Sequence, residues 1–508
     1  MESKAMKWIL SITLVLSLVL GQLPGDPTAS AAVTKNVYSF GKGEFGRLGQ
    51  GDSANRLAPT AISELSGLNI TAVSAGAEHT LVLTADGNVY SFGNGASGQL
   101  GHGNTASQDV PTLIEYFETN SITATAVSAG GEYSLVLSDD GDVYAFGRGT
   151  EGQLGLGGST SVSTPTKITD TAFDAETIVS ISAGEQHSLA ATAGGDVYSF
   201  GNSGAGRLGY DAGSIQTTPR KIPSFAGIRS ISAGFNHSLA ASVTGAVYSF
   251  GHGGWWQLGH GDNGTRLSPT QIVNLSGENI TAVSAGQGFN LVLNEDGEVF
   301  SFGNGAEGYL GHGDSPPQEA TRQTPEKIQA LVGKTVVSIS AGKSHSIVLT
   351  DNGEVYAFGY GYYGQLGNGV NHNKFAPTLI QSTLVGKAID AGYDHTIVAG
   401  EEDDGFSYSV SASVDEIEFY HRNVGYSAFD ATTVTVTNNG TGPLTGLTAT
   451  PSSGFEIVAP YAAATLSPGA TTTLYVRPVE GLAPGLHTGT LTISADRGVT
   501  ETIDLSFE

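Results

Sequence analysis

Val89-Tyr90-Ser91-Phe92-Gly93-Asn94-Gly95-Ala96-Ser97-Gly98-Gln99-Leu100-Gly101 decides the fold, because the chain repeats it. VYSFG or a near variant begins at Val37, Val89, Val143, Val197, Val247, Val299 and Val355, seven copies 50 to 56 residues apart. Each continues as G-x-G-x-x-G-[QR]-L-G or close to it, then passes a proline: Pro59, Pro111, Pro165, Pro219, Pro269, Pro325 or Pro377. Each then reaches [VI]-S-A-G-x-x-H-S-L or a variant of it, as at Val73–Leu81, and the last copy reads Ile389-Asp390-Ala391-Gly392. Valine, tyrosine and phenylalanine alternating with small polar residues suit a half-buried strand. Asp86-Gly87, Asp140-Gly141, Asp296-Gly297 and Asn352-Gly353 lie between such runs, which is a hairpin signal. One small antiparallel sheet cannot bury both faces alone, so a period near fifty residues with several strands per unit predicts propeller blades in a ring.

The ends of the array predict how the ring closes. Thr396-Ile397-Val398-Ala399 has no following partner and Val37-Tyr38-Ser39-Phe40 has no preceding one, so the two form one hairpin across the domain. Closure of this kind removes open sheet edges.

The motifs VYSFGNGASGQLGHG and SAGEQHSL and their siblings, over residues 33–400, resemble the RCC1 (regulator of chromosome condensation) repeat. The resemblance implies a seven-bladed β-propeller. That family includes a nuclear exchange factor for the GTPase Ran and a secreted bacterial β-lactamase inhibitor. Such a resemblance implies a ring that presents loops to a protein partner.

Composition sets the compartment and class. Seventy-two glycines, no cysteine and 14% charged residues fit an all-β protein rich in turns. Lys4 and Lys7, the apolar run Trp8–Leu20, Pro24, Pro27 and then Ala29-Ser30-Ala31-Ala32 read as an export signal over 1–32, too short for the roughly 20 residues of a membrane span. The expected mature protein is secreted, extracellular or associated with the cell surface, with no membrane span once the signal is removed. The net charge of −26 is unchanged by that removal, since Glu2 and Asp26 leave with Lys4 and Lys7. Such a surface repels phosphate backbones, and no nucleic acid is expected as a partner.

After Glu401-Glu402-Asp403-Asp404-Gly405, an acidic linker at 401–405, the composition shifts to threonine-rich alternation. Phe406–Val414, Thr433–Asn438, Thr471–Arg477 and Leu491–Ser494 read as strands, separated by Asn438-Asn439-Gly440, Ser467-Pro468-Gly469 and Ala483-Pro484-Gly485 turns. Residues 406–508 are expected to form an Ig-like β-sandwich, and this run resembles the Ig-like modules of bacterial surface proteins.

No chemistry-bearing motif stands out. Gly41-x-Gly43-x-x-Gly46 and its siblings spell the dinucleotide fingerprint, but polar loops and a proline occupy the stretch where a helix must begin. No paired carboxylates, GxSxG or HExxH are present, so an enzyme is not expected and neither are cofactors or a metal. His79, His187, His237, His345 and His395 share one repeat position, filled by Tyr133 and Phe289 elsewhere. Recurrence around a ring reads as structural, while the resemblance implies that this position contributes to the partner face in the Ran exchange factor.

Symmetry breaks in the loop after VYSFG. Ala96-Ser97, Thr150-Glu151 and Gly204-Ala205 sit in repeats two to four, whereas Phe45, Trp255, Trp256, Tyr309, Tyr360, Tyr362 and Tyr363 belong to repeats one, five, six and seven. These are consecutive around a closed ring, so the aromatics form a candidate binding arc, with packing between blades as the competing reading. The expected function is a non-catalytic binding or scaffold module, an inhibitor or adaptor, for an extracellular protein. Binding of an envelope glycan is the alternative, and exchange-factor activity is less favoured for an exported chain.

Overall fold

The computed structural model describes residues 34–507 except positions 35, 172, 174, 214, 224, 315–319, 381–382, 403–409, 415, 420–430, 460–464, 480–485 and 496–498. The expected export signal, Asp403-Asp404-Gly405, the 406–409 part of the first tail strand and the Ala483-Pro484-Gly485 turn therefore lie outside the described residues. The chain divides into two units at Glu402.

The first unit is a seven-bladed β-propeller of four-stranded antiparallel sheets. We number the blades by their VYSFG strands. Blade 2 runs from the axis outward as Ile70–Ala75, His79–Thr84, Val89–Gly93 and Gln108–Leu113, and blades 3 to 7 repeat that order. Blade 1 is assembled from both ends of the unit: Leu384–Ala391 and His395–Glu402 supply its inner half, Asn36–Gly41 and Arg56–Ala61 its outer half. Val37 pairs with Ala399, Tyr38 with Val398, Ser39 with Ile397 and Phe40 with Thr396, the register that the orphan half-hairpins predict. Glu401 and Glu402 are not linker: they pair with Val385 and Leu384, which carry the innermost strand two residues past the bulge that every blade has at this point.

Packing explains the recurring residues. Phe40, Phe92, Phe146, Phe200, Phe250, Phe302 and Phe358 are fully buried. Phe92 lies on Gly49 of blade 1, where an added Cβ would sit 2.9 Å from the ring, and Phe40 lies in the same way on Gly367 of blade 7. The outermost strands carry Pro59, Pro111, Pro165, Pro219, Pro269, Pro325 and Pro377, which remove a donor from each exposed edge.

Two rings of hydrogen bonds stitch the blades together. Nearest the axis, the amide of Ala129 donates to Ser74 Oγ of the preceding blade (3.0 Å), and Ala183 to Ser128, Ala233 to Ser182, Ala285 to Ser232, Ala341 to Ser284 and Ala391 to Ser340 repeat the bond. Asp390 takes the seventh place, accepting from the Ala75 amide at 2.8 Å and from the hydroxyls of Ser74 and Ser340. One layer out, His79 Nε2 meets Ser134 Oγ of the next blade (2.9 Å), His187 meets Ser238, His237 meets Asn290 Oδ1, His345 meets Thr396 and His395 meets Thr80. Each of these partners in turn donates to a loop carbonyl of the preceding blade, as Ser134 does to Gln99 (2.8 Å) and Asn290 Nδ2 does to Gln257. With that proton committed, the imidazole must donate from Nε2, and Nδ1 carries the lone pair. The Tyr133 hydroxyl makes the same crossing, to the His187 carbonyl at 2.6 Å and to Ser188 Oγ. Phe289 has no polar atom with which to make it.

The second unit has two four-stranded sheets around one core. Val410–Ala412, Thr432–Asn438, Thr471–Pro478 and Phe455–Ala459 form one, with Val434, Val436, Leu474 and Val476 facing inward. Glu416–Phe419, Val499–Phe507, His487–Ala495 and Thr448–Pro451 form the other, with Leu491, Ile493, Ile503 and Leu505 opposite. Glu416–Phe419 pairs parallel to Val499–Phe507. The Asn438 turn closes through its own side chain, whose Oδ1 accepts from the Gly440 amide at 2.9 Å.

The histidine ring makes the propeller acid-labile. Burial lowers His79 and His345 to about 3 and His237 to about 4, and holds His187 and His395 well below the ordinary value. As pH falls through about 6.5 the unfolded chain takes up protons that the folded chain refuses, so stability drops by up to ~1.4 kcal/mol per pH unit per histidine until the folded values are reached. Burial raises Asp390 to about 6 and Glu185 to about 7, and these two favour the folded state as pH falls over the same window. His102, His260 and His312, which burial also lowers, join these five, so eight histidines oppose two carboxyls. We expect denaturant-unfolding free energy to fall steeply from pH 6.5 to 4.5, and His345→Phe, which copies Phe289, to make that slope shallower; an unchanged slope would contradict this origin.

Candidate functional site

The loops after the VYSFG strands emerge on the same face as the turns that precede the histidine strands, since Gly93 pairs directly with His79. Gly93 has φ +110°, and a Cβ there would lie 2.4 Å from the Glu78 carbonyl oxygen. The glycine pattern thus serves a close backbone crossing. Beyond these glycines the chain makes a three-residue 3-10 turn, at Glu44–Gly46 and its siblings, or a plain turn, and neither supplies the helix N-terminus that pyrophosphate needs. Among the described residues no group of three His, Asp or Glu converges to hold a metal.

The residue before Leu-Gly in each loop sets that loop's shape. Where it is glutamine, its Oε1 accepts the amide two residues earlier: Gln99 from Ser97 (2.8 Å), Gln153 from Glu151 (2.9 Å), Gln257 from Trp255 (2.8 Å) and Gln365 from Tyr363 (3.0 Å). Arginine offers no acceptor. Arg47 and Arg207 instead donate from Nε to the carbonyls of Glu44 and Gly204, both at 2.9 Å. In those loops, and in that of Tyr309, the residue two before turns to positive φ: Phe45 at 64°, Ala205 at 59° and Glu307 at 55°. The difference is legible in the [QR] alternation, although the sequence reading did not use it.

Trp256 is a separate case. It stands where the other loops have glycine and takes the glycine's conformation, φ 59°. For a bulky side chain this costs roughly 1–2 kcal/mol. Trp255 beside it is 40% exposed, packs edge-on to His252 at 5.8 Å and lies over Gly288, where a Cβ would meet its ring at 2.4 Å. Other blades carry Glu78, Glu132, Gln186, Asn236, Ser344 or Asp394 at the Gly288 position, so the bare glycine makes the tryptophan's seat.

The remaining aromatics divide. Tyr360, Tyr362 and Tyr363 form one cluster with ring centroids 6.0 to 6.3 Å apart, and Tyr362 is 63% exposed. Lys42 of blade 1 lies over the Tyr363 ring at 5.3 Å and links that cluster to the next blade, where Phe45 is 41% exposed. Tyr309 turns inward: its half-buried ring packs at 5.3 Å on Phe289, the residue that takes the histidine position in this blade. The five repeat histidines are wholly buried and present nothing to this face.

Known proteins share the propeller fold. The RCC1-like domain profile matches residues 36–398 and covers none of the second unit. The Arabidopsis thaliana ultraviolet-B receptor UVR8 is 34% identical over 375 residues, covering 73% of this chain and 72% of UVR8. The Homo sapiens E3 ubiquitin-protein ligase HERC2 is 32% identical over 385 residues, 74% of this chain but only 8% of HERC2. The crystal structure of Saccharomyces cerevisiae Prp20p, a protein described with binding to Gsp1p and histones, superposes with a TM-score of 0.66 at 23% identity, covering 75% of this chain and 93% of that one. With its repeats, closed seven-bladed ring and these matches, the chain belongs to the RCC1-like domain family.

Proposed function

We propose that the propeller is a non-catalytic binding module that takes an extracellular protein on its loop face, in the manner of an inhibitor or adaptor. Residues 1–32 would direct export, and the second unit, read as an Ig-like module, would act as spacer or second contact, leaving the protein secreted or held at the cell surface. The observation that carries this reading is Trp256. A backbone that asks for glycine holds a tryptophan instead, beside an exposed Trp255 in a seat cleared by Gly288. Strain kept at a surface loop is a sign of use rather than of folding need. Tyr362 and Phe45 extend the exposed aromatic surface over blades 7 and 1, and tyrosine and tryptophan bury large areas at small entropic cost. An exported protein does not meet a cytosolic GTPase, so nucleotide exchange is not the role assigned here.

Trp8 leaves with the signal on this reading, and Trp255 and Trp256 are then the sole tryptophans. Fluorescence of the mature protein is expected to be red-shifted and readily quenched by acrylamide; a blue-shifted, protected emission would assign the pair to packing. Trp256→Gly is expected to raise unfolding free energy by about 1 kcal/mol through relief of the left-handed strain. A Trp255→Ala/Trp256→Ala variant with unchanged melting temperature is expected to lose retention of a protein from the culture medium. Retention of wall polysaccharide alone would favour the glycan reading, and equal retention by both proteins would remove the arc from the mechanism.

A further inference from the structure

The propeller axis holds a second candidate site, separate from the loop aromatics. All seven innermost strands line a tunnel with about 110 Å³ of open space, room for several water-sized groups. At its mouth the turns present Glu185 from blade 4, Phe235 from blade 5, Gln287 from blade 6, Lys343 from blade 7 and Tyr393 from blade 1. Blades 5 and 1 face each other across the ring, yet the Phe235 and Tyr393 ring centroids are 6.1 Å apart, so these two rings meet over the axis. At that separation the two rings touch and leave no slot between them, so a ligand reaches the cavity beside the pair. Two polar atoms bordering the cavity, Glu185 Oε2 and Tyr393 Oη, are buried without a hydrogen-bond partner. The Glu185 carboxylate lies over Gly131, where a Cβ would approach Oε2 to 2.7 Å. The site already receives one cation of its own, since Lys343 Nζ stands 5.3 Å from the Tyr393 ring centre.

We propose that the tunnel mouth binds a small primary alkylammonium, its charge against the Glu185 carboxylate and its carbon chain in the cavity alongside the touching Phe235 and Tyr393 rings. An aromatic face attracts a desolvated cation, and an unpaired buried carboxylate gains most from one. The charged groups acting on Glu185 are Glu132, which opposes its ionisation, and Arg148, Lys343 and Arg207, which favour it. Burial outweighs these and pushes the carboxyl up to about 7, so binding strengthens as pH rises through that value.

The test is titration of the full chain with n-butylammonium at pH 8, followed by saturation-transfer NMR, with butyrate as the control of opposite charge. Saturable butylammonium binding that weakens about tenfold in Glu185→Gln, falls below pH 7 and strengthens in Lys343→Met is expected. Circular dichroism and melting temperature verify that each variant is folded. Equal binding of butyrate, no saturation, or binding indifferent to Glu185→Gln in a folded variant would overturn the site. None of these outcomes touches Trp255 or Trp256, so failure here leaves the loop-face reading standing.

Discussion

Every blade is held to the next by hydrogen bonds, and the innermost ring of them is complete around all seven blades. A four-stranded sheet leaves both faces uncovered. The Ser74-type bond to a neighbouring amide and the His79-type bond to a neighbouring hydroxyl fix how far each sheet turns against the one before. The hydroxyl between them is used fully: it accepts from one blade's imidazole and donates to the same blade's loop carbonyl, tying the inner wall to the loop face. The loops that bear Trp255 and Tyr362 are therefore set on a rigid base, which a binding surface requires if ordering cost is not to consume its affinity.

Substitutions in this network show how much it tolerates. Phe289 surrenders one polar crossing, and Tyr309 fills the layer above it with a second ring. Asp390 replaces a serine in blade 1 and gathers four donors, from Ser74, Ala75, Ser340 and Ala391. It does so in the blade joined from two chain ends, where one side chain spans from blade 7 to blade 2.

Much of this is legible in the sequence alone. Repeat spacing, Asp-Gly turns and the two orphan half-hairpins led to seven blades and to the residue register of closure, because strand periodicity and turn chemistry are local. The arc of loops on consecutive blades came from the same count. Orientation was not legible: Tyr309 sits within the arc by sequence but turns inward, since its neighbour in space is Phe289 on a strand read only as a repeat variant. Gly288 making room for Trp255, and Phe235 meeting Tyr393 across the axis, join residues 33 and 158 positions apart, and no local pattern encodes either. The acidic run at Glu401 resembled a linker because charge alone cannot show that Leu384 and Val385 pair with it beyond the end of the repeat.

The closing hairpin also sets how the ring answers to force. Asn36 pairs with Gly400, so the two places where the chain enters and leaves the propeller lie side by side at one end of an antiparallel ladder. Tension applied between the preceding segment and the second unit would load those backbone bonds one after another from that end, as a zipper opens, and never all together in shear. A ring that is stiff across its blades is thus weakest along the axis through which its own chain could pull on it.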